Sequence, residues 1–248
     1  SHRLIRPVLL GLAVAVMIAS CGGPELLLLV RARIAEPDII YVSADGSDSN
    51  DGYGPDTPLQ SIRLALAIAD VADADEVRVA EGEYVVADRR DEIEIPEGIT
   101  LSGGWAADFS VRAPRTHVSL IKSGEGSASA LVRAEPYGAW NERWIDGMRF
   151  EAVDMTAIVV RANLFLDACD ITARSTEGDE LSAVVVGGNT FGLSNSILRA
   201  DCHTAILLHD GEGAPSIEYS TIIATNYGIR FAADFESSGP SVVGNIIG

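Results

Sequence analysis

Short apolar runs recur along this chain at a nearly constant interval, and that interval predicts the fold. One block reads Thr156-Ala157-Ile158-Val159-Val160, Ser182-Ala183-Val184-Val185-Val186, Thr204-Ala205-Ile206-Leu207-Leu208 and Tyr227-Gly228-Ile229-Arg230-Phe231, at spacings of 26, 22 and 23. An earlier copy is read at Ser129-Ala130-Leu131, which places Ala130 in the small-residue position of Ala157. A second block reads Cys169-Asp170-Ile171, Asn195-Ser196-Ile197, Ser220-Thr221-Ile222 and Asn245-Ile246-Ile247, at spacings of 26, 25 and 25, with Met148-Arg149-Phe150 before it. The two blocks alternate, and Gly, Asn, Asp and Pro cluster between them. Two or three short strands per repeat of this length make one coil of a parallel solenoid, in which equivalent residues of successive coils stack about 4.8 Å apart. The expected fold is therefore all-β, a single-stranded right-handed parallel β-helix. On this alignment Cys169, Asn195, Ser220 and Asn245 form a polar ladder, and Ile171, Ile197, Ile222 and Ile247 an aliphatic one. Leucine-rich repeats share the period but need a leucine-and-asparagine spacing that is absent here.

Ahead of the repeats, Ile39-Ile40-Tyr41-Val42 reads as a strand, followed by a loop dense in Asp, Ser and Gly. An amphipathic helix is expected from Ser61 to Ala72, with Asp56, Thr57 or Ser61 as its N-cap. Glu76 to Ala80 is a second strand, leading to Glu81-Gly82-Glu83-Tyr84. Taken together, residues 39 to about 86 resemble the N-terminal segment of a group of bacterial pectin-lyase-like β-helix proteins, about a fifth of the chain. That resemblance implies that the helix caps the open end of the coil. The group has no single activity, so it implies a fold and not a function.

The first residues carry an export pattern. Arg3 and Arg6 precede an apolar run from Val8 to Ile18, which is too short to span a bilayer, and the run ends in Ile18-Ala19-Ser20-Cys21-Gly22. This resembles a bacterial lipobox, which implies cleavage before Cys21 and acylation of that residue, giving a membrane anchor. Gly22 in place of Asp points to the outer membrane, at its periplasmic or surface face. The expected organisation is a signal peptide over 1–20, a tether over 21–38 and a β-helix domain over 39–248 that ends inside its own repeat pattern.

Charge narrows the partners. With 36 acidic against 18 basic residues the net charge is −18, which repels phosphate backbones and excludes nucleic acid. Divalent cations and basic partners remain compatible. Ca²⁺ at the loop ending in Gly52 is disfavoured, because Ser49 and Ser47 fall where an EF-hand needs carboxylates, and Asx-turns account for the aspartates. No cofactor is expected.

Catalytic constellations are sparse. Enzymes of the pectin-lyase-like fold carry paired Asp, Gly-His-Gly or Arg-x-Lys signatures, none of which occurs here. Of the four histidines, His2, His117, His203 and His209, the last two flank one strand beside Asp201-Cys202 and Asp210. A straight strand over 204–208 separates those ends by about 20 Å. Arg230, between Ile229 and Phe231, is expected to point outward. Cys169 and Cys202 are 33 residues apart, more than one coil, so they are not obvious ladder neighbours for a disulfide. Trp140 and Trp144 are the nearest thing to an aromatic patch. The sequence thus favours a tethered, non-enzymatic scaffold for a polysaccharide or an envelope component. A polysaccharide lyase or hydrolase, and a spacer for a further domain, stand as alternatives.

Overall fold

The computed structural model describes residues 38–136, 142–176, 181–187, 190–209, 215–232, 241–244 and 246–247, with side chains 242, 246 and 247 excepted. The chain divides into Ser1–Pro37 and Asp38–Gly248. The signal segment, Cys21, nearly all of the tether, Trp140 and Asn245 lie outside the described residues.

Three sheets of parallel strands account for the described part of the second unit. The first holds Ile39–Val42, Glu76–Ala80, Thr100–Trp105, Arg143–Asp146, Leu164–Asp167, Phe191–Ser194, Ser216–Glu218 and Ser241–Val243. The second holds Gly82–Val86, Ser119–Ser123, Arg149–Val153, Asp170–Arg174, Ile197–Asp201, Thr221–Ala224 and Ile246–Ile247. The third holds Ile93–Glu94, Ala130–Ala134, Thr156–Val160, Ser182–Val186, Thr204–Leu208 and Tyr227–Phe231. From residue 76 the chain visits the sheets in rotation, and each strand pairs in parallel with its counterpart one circuit later. This is a stack of coils, consistent with a parallel β-helix solenoid. The second and third sheets are the two repeated blocks read from the sequence. The first sheet carries a third repeat, which sequence periodicity had not separated from the turns.

Alternation within the strands builds one continuous core. Ile145, Leu164, Leu166, Phe191 and Ile217 in the first sheet are wholly buried, as are Phe150, Ile171, Leu198 and Ile222 in the second. The third sheet adds Ile158, Val184 and Ile206. Within the strand Ile197–Asp201, residues 198 and 200 are buried while 199 and 201 are exposed.

Two expected registers are corrected by one residue. Ile171 pairs with Leu198, which pairs with Ile222, and Ile222 with Ile247. Ile197 stands outside this aliphatic stack, between Asp170 and Thr221. The polar ladder shifts with it. The Cys169 amide donates to Ser196 Oγ at 3.0 Å, and the Ser196 amide to Ser220 Oγ at 3.2 Å. Asn195 instead occupies the preceding bend, at φ 48°. The interval from Cys169 to its equivalent holds one residue more than the matched isoleucines implied. A dipeptide Ile197-Leu198 offers an aliphatic side chain in either register, so only burial of alternate residues decides between them. Similarly, Thr156 pairs with Ala130, and so Leu131 rather than Ala130 stands opposite Ala157.

The helix runs Ile62–Ala72, with Ser61 Oγ accepting the Leu64 amide at its start and Asp73 in a left-handed conformation at its end. It buries Ile62, Ala65, Leu66 and Ala69 against strands Ile39–Val42, Glu76–Ala80 and Ile93–Glu94. The loop before it is stapled by its own carboxylates. Asp48 Oδ1 accepts the Gln60 and Ser61 amides, and Asp51 Oδ1 accepts the Tyr53 amide and the Thr57 hydroxyl. Leu59 hydrogen-bonds along the outer edge of Ile39–Val42 and covers it.

Candidate binding face and corner cleft

Strands such as Arg143–Asp146 and Leu164–Asp167 of the first sheet bury alternate residues, and the positions between them line up in columns across the sheet. One column runs Thr100, Trp144, Phe165, Gly192, Ser216, and its neighbour runs Ser102, Asp146, Asp167, Ser194, Glu218. The Trp144 and Phe165 rings stack at 4.7 Å with planes 20° apart. Trp144 is 38% exposed, and its indole N–H donates to Glu142. Asp167 accepts hydrogen bonds from Ser194 Oγ at 2.7 Å and Asn195 Nδ2 at 2.8 Å. Asp146 lies 2.9 Å from Arg112 Nη2. That nitrogen makes no well-directed hydrogen bond, so the contact is ionic in character. Toward the helix end of the same face, Arg78 sits over the Trp105 ring at 4.3 Å.

The first sheet turns into the second through one sharp bend per coil. Gly147, Ala168, Asn195, Tyr219 and Gly244 all have positive φ, between 48° and 68°. In three of them the residue after the bend pins it. Ser196 Oγ donates back to the Ser194 carbonyl, Ser220 Oγ to that of Glu218, and Cys169 Sγ to that of Asp167. Cys169 is therefore a structural relative of the two serines. Burial pushes its thiol up to about 12, and burial also raises Cys202. Burial disfavours the reactive thiolate at both positions, and both are free thiols.

In the coil of strand Thr100–Trp105 the bend is replaced by an excursion over residues 106–118. It is held by the Ala106 amide on the Val111 carbonyl and the Ala113 amide on that of Gly104. His117 Nδ1 donates to Glu81 at 2.9 Å, which lowers the Glu81 pKa. Arg112 donates to the Gly103 carbonyl and reaches over Gly147. A Cβ on Gly147 would stand 2.7 Å from both Arg112 Nη2 and Pro114 Cγ, at a φ of +68°. Between the excursion and the bends beneath it lies a cleft of about 440 Å³. Pro114, Val118, Met148 and Ile197 contribute apolar walls, and Arg115, Arg149 and Asp170 the charged ones.

The residues singled out from sequence as catalytic candidates do not converge. Asp201 accepts from Thr225, Cys202 is buried, and His203 Nε2 accepts from Arg230 at 2.8 Å. Arg230 is exposed, as expected. His209 stands at the far end of strand Thr204–Leu208, and Asp210 lies outside the described residues. Among the described residues no group of three His, Cys, Asp or Glu could hold a metal ion. No helix among them is long and apolar enough to cross a membrane. Sequence reading missed Phe165, Gly192, Asp146 and Asp167, whose signal was the third, unread repeat.

No protein-family model matches the chain, and no curated protein or solved structure matches it. The pectin-lyase-like reading of residues 39–86 thus rests on the sequence motifs alone.

Proposed function

We propose that this chain is an exported, lipid-anchored right-handed parallel β-helix, capped by the helix Ile62–Ala72, whose first sheet presents a binding face to a glycan of the cell envelope. The observation that carries the glycan reading is the Trp144–Phe165 stack in register beside Asp146 and Asp167. Aromatic rings offer an apolar platform to the C–H faces of a sugar, and carboxylates accept hydrogen bonds from its hydroxyls. A repeating face suits a repeating polymer. Export and anchoring rest on the Arg3–Gly22 pattern, with Cys21 as the acylated residue and the outer membrane as destination.

The test is retention of the full chain on a panel of neutral and acidic polysaccharides, with cleavage followed in parallel, with and without Ca²⁺. Retention that falls in Trp144→Ala supports the reading; equal behaviour of the variant overturns it. Incorporation of labelled fatty acid, abolished by Cys21→Ala, tests the anchor separately.

One observation favours an enzymatic alternative. Asp146 and Asp167 are registered on adjacent strands, which places side by side two carboxylates, the residue type that acid–base hydrolysis uses. Both already serve as partners, to Arg112 and to Ser194 and Asn195, which suits ligand binding better than proton delivery. Cleavage lost in Asp146→Asn would establish the hydrolase. Neither retention nor cleavage would leave the spacer role.

A further inference from the structure

We propose that the corner cleft is a second, separate site, which takes a small organic carboxylate with a compact apolar body. Its charge runs against that of the molecule. The chain carries −18, yet the cleft walls bring Arg115 and Arg149 to a single carboxylate, Asp170. Asp170 is already shared between Arg149 at 3.7 Å and Arg199, so its charge is spent on guanidinium groups. Arg115 is exposed and has no carboxylate partner among the described residues. An anion entering here meets an excess of positive charge in a partly desolvated recess, where guanidinium–carboxylate pairs are strong and directional.

The rest of the lining selects the ligand body. Pro114, Val118, Met148 and Ile197 offer no hydrogen-bonding side chain. The two neutral polar side chains of the lining are already engaged, Ser119 Oγ with the Gly104 amide and the Val79 carbonyl and Asn195 Nδ2 with Asp167, so a polyhydroxylated ring would lose much of its water without compensation. An apolar body gains instead. The volume of about 440 Å³ lies in the range of small-molecule sites, which combine apolar walls with a few placed polar groups. The excursion that makes one wall is anchored by the Ala113–Gly104 and Arg112–Gly103 bonds, so the recess is built before a ligand arrives. The proposal does not rest on the glycan reading, and either can fail without the other.

Benzoate is the probe, with benzyl alcohol as its uncharged counterpart. Methionine methyls labelled with ¹³C in the full chain report the position, because Met148 lines the cleft while Met155 lies elsewhere in the core. Benzoate should shift the Met148 methyl saturably and leave Met155 in place, while benzyl alcohol binds at least about tenfold more weakly. Arg115→Gln and Arg149→Gln should each weaken benzoate, whereas Asp170→Asn should tighten it, an outcome that a merely structural role for Asp170 would not give. Inorganic phosphate matching benzoate would remove the apolar body from the proposal. Equal binding of the alcohol, an unmoved Met148 methyl, or unchanged affinity in the double arginine variant would overturn it.

Discussion

The Phe165 ring rests on the space left by Gly192: a Cβ at that glycine would stand 2.5 Å from Phe165 Cδ1. Gly192 occupies the position after Phe165 in the aromatic column, so its missing side chain is what lets the ring lie over the next strand. Gly192→Ala should push the ring away and disturb its stack on Trp144. The expected cost is about 1 kcal/mol in urea denaturation, together with a changed tryptophan signal in near-ultraviolet circular dichroism. Polysaccharide retention should fall with it. An unchanged spectrum and midpoint would show that the contact is not needed.

Arg143 is 2% exposed, at an inward position of the first sheet where later coils place Leu164 and Phe191. Its guanidinium donates to the carbonyls of Ile95 and Glu135 and faces Glu97 at 3.5 Å. Arg143→Met keeps the apolar stem and removes the donors, leaving buried acceptors without partners. The loss should be on the order of 2 kcal/mol. A shift of the urea midpoint with an unchanged slope is the expected reading.

Asn195 should tolerate glycine and reject valine. At φ 48° a β-branched side chain is strained by roughly 1–2 kcal/mol, whereas glycine is not. Asn195→Gly loses the bond to Asp167 and some chain entropy, and should cost less than Asn195→Val. Equal stability of the two variants in thermal melts would argue against a left-handed bend here.

Acid should loosen the corner that Asp154 holds. Asp154 is held below its ordinary value of 3.8 by the Thr176 hydroxyl and then by the Thr176 amide. A depressed carboxyl contributes stability above its unfolded pKa, and that contribution disappears as pH falls through the depressed folded value. The stability difference between the native chain and Asp154→Asn should therefore be constant near neutrality and shrink below about pH 3.9. Urea midpoints measured down the acid range give the comparison. A difference that ignores pH would remove the carboxylate from the account.

Much of the coil was legible because it repeats. The blocks from Thr156 and Met148 onward recover the strands of two sheets, and Ser61 with the apolar positions of Ile62, Leu66 and Ala69 recovers the helix. Register within one coil was not legible, since Ile197 and Leu198 are equally suited to the interior. The candidate face was missed for a different reason. Its strands, such as Leu164–Asp167 and Phe191–Ser194, are only four residues long, and their outward positions are chemically unlike one another. Trp144 stands in a column with Thr100, Phe165 and Gly192, so identity does not repeat where geometry does. Clusters such as Asp201-Cys202-His203 misled in the opposite direction, because neighbours in sequence turn to different partners.

The bend between the first and second sheets also separates what the solenoid can change from what it cannot. From strand Arg143–Asp146 onward that connection is always two residues, whereas the connection from third to first sheet ranges from three to nine. Between second and third sheets it is seven after Arg174 but two after Asp201. Past the excursion over 106–118, the coil therefore has one seam of fixed length and two of variable length. From there on, length variation collects on the two variable sides, and the azimuth of each outward side chain on the first sheet is inherited unchanged from the coil below. A foreign loop grafted after Arg174 would leave the aromatic and acidic columns in line, while a single residue added beside Asn195 would rotate every column above it out of alignment.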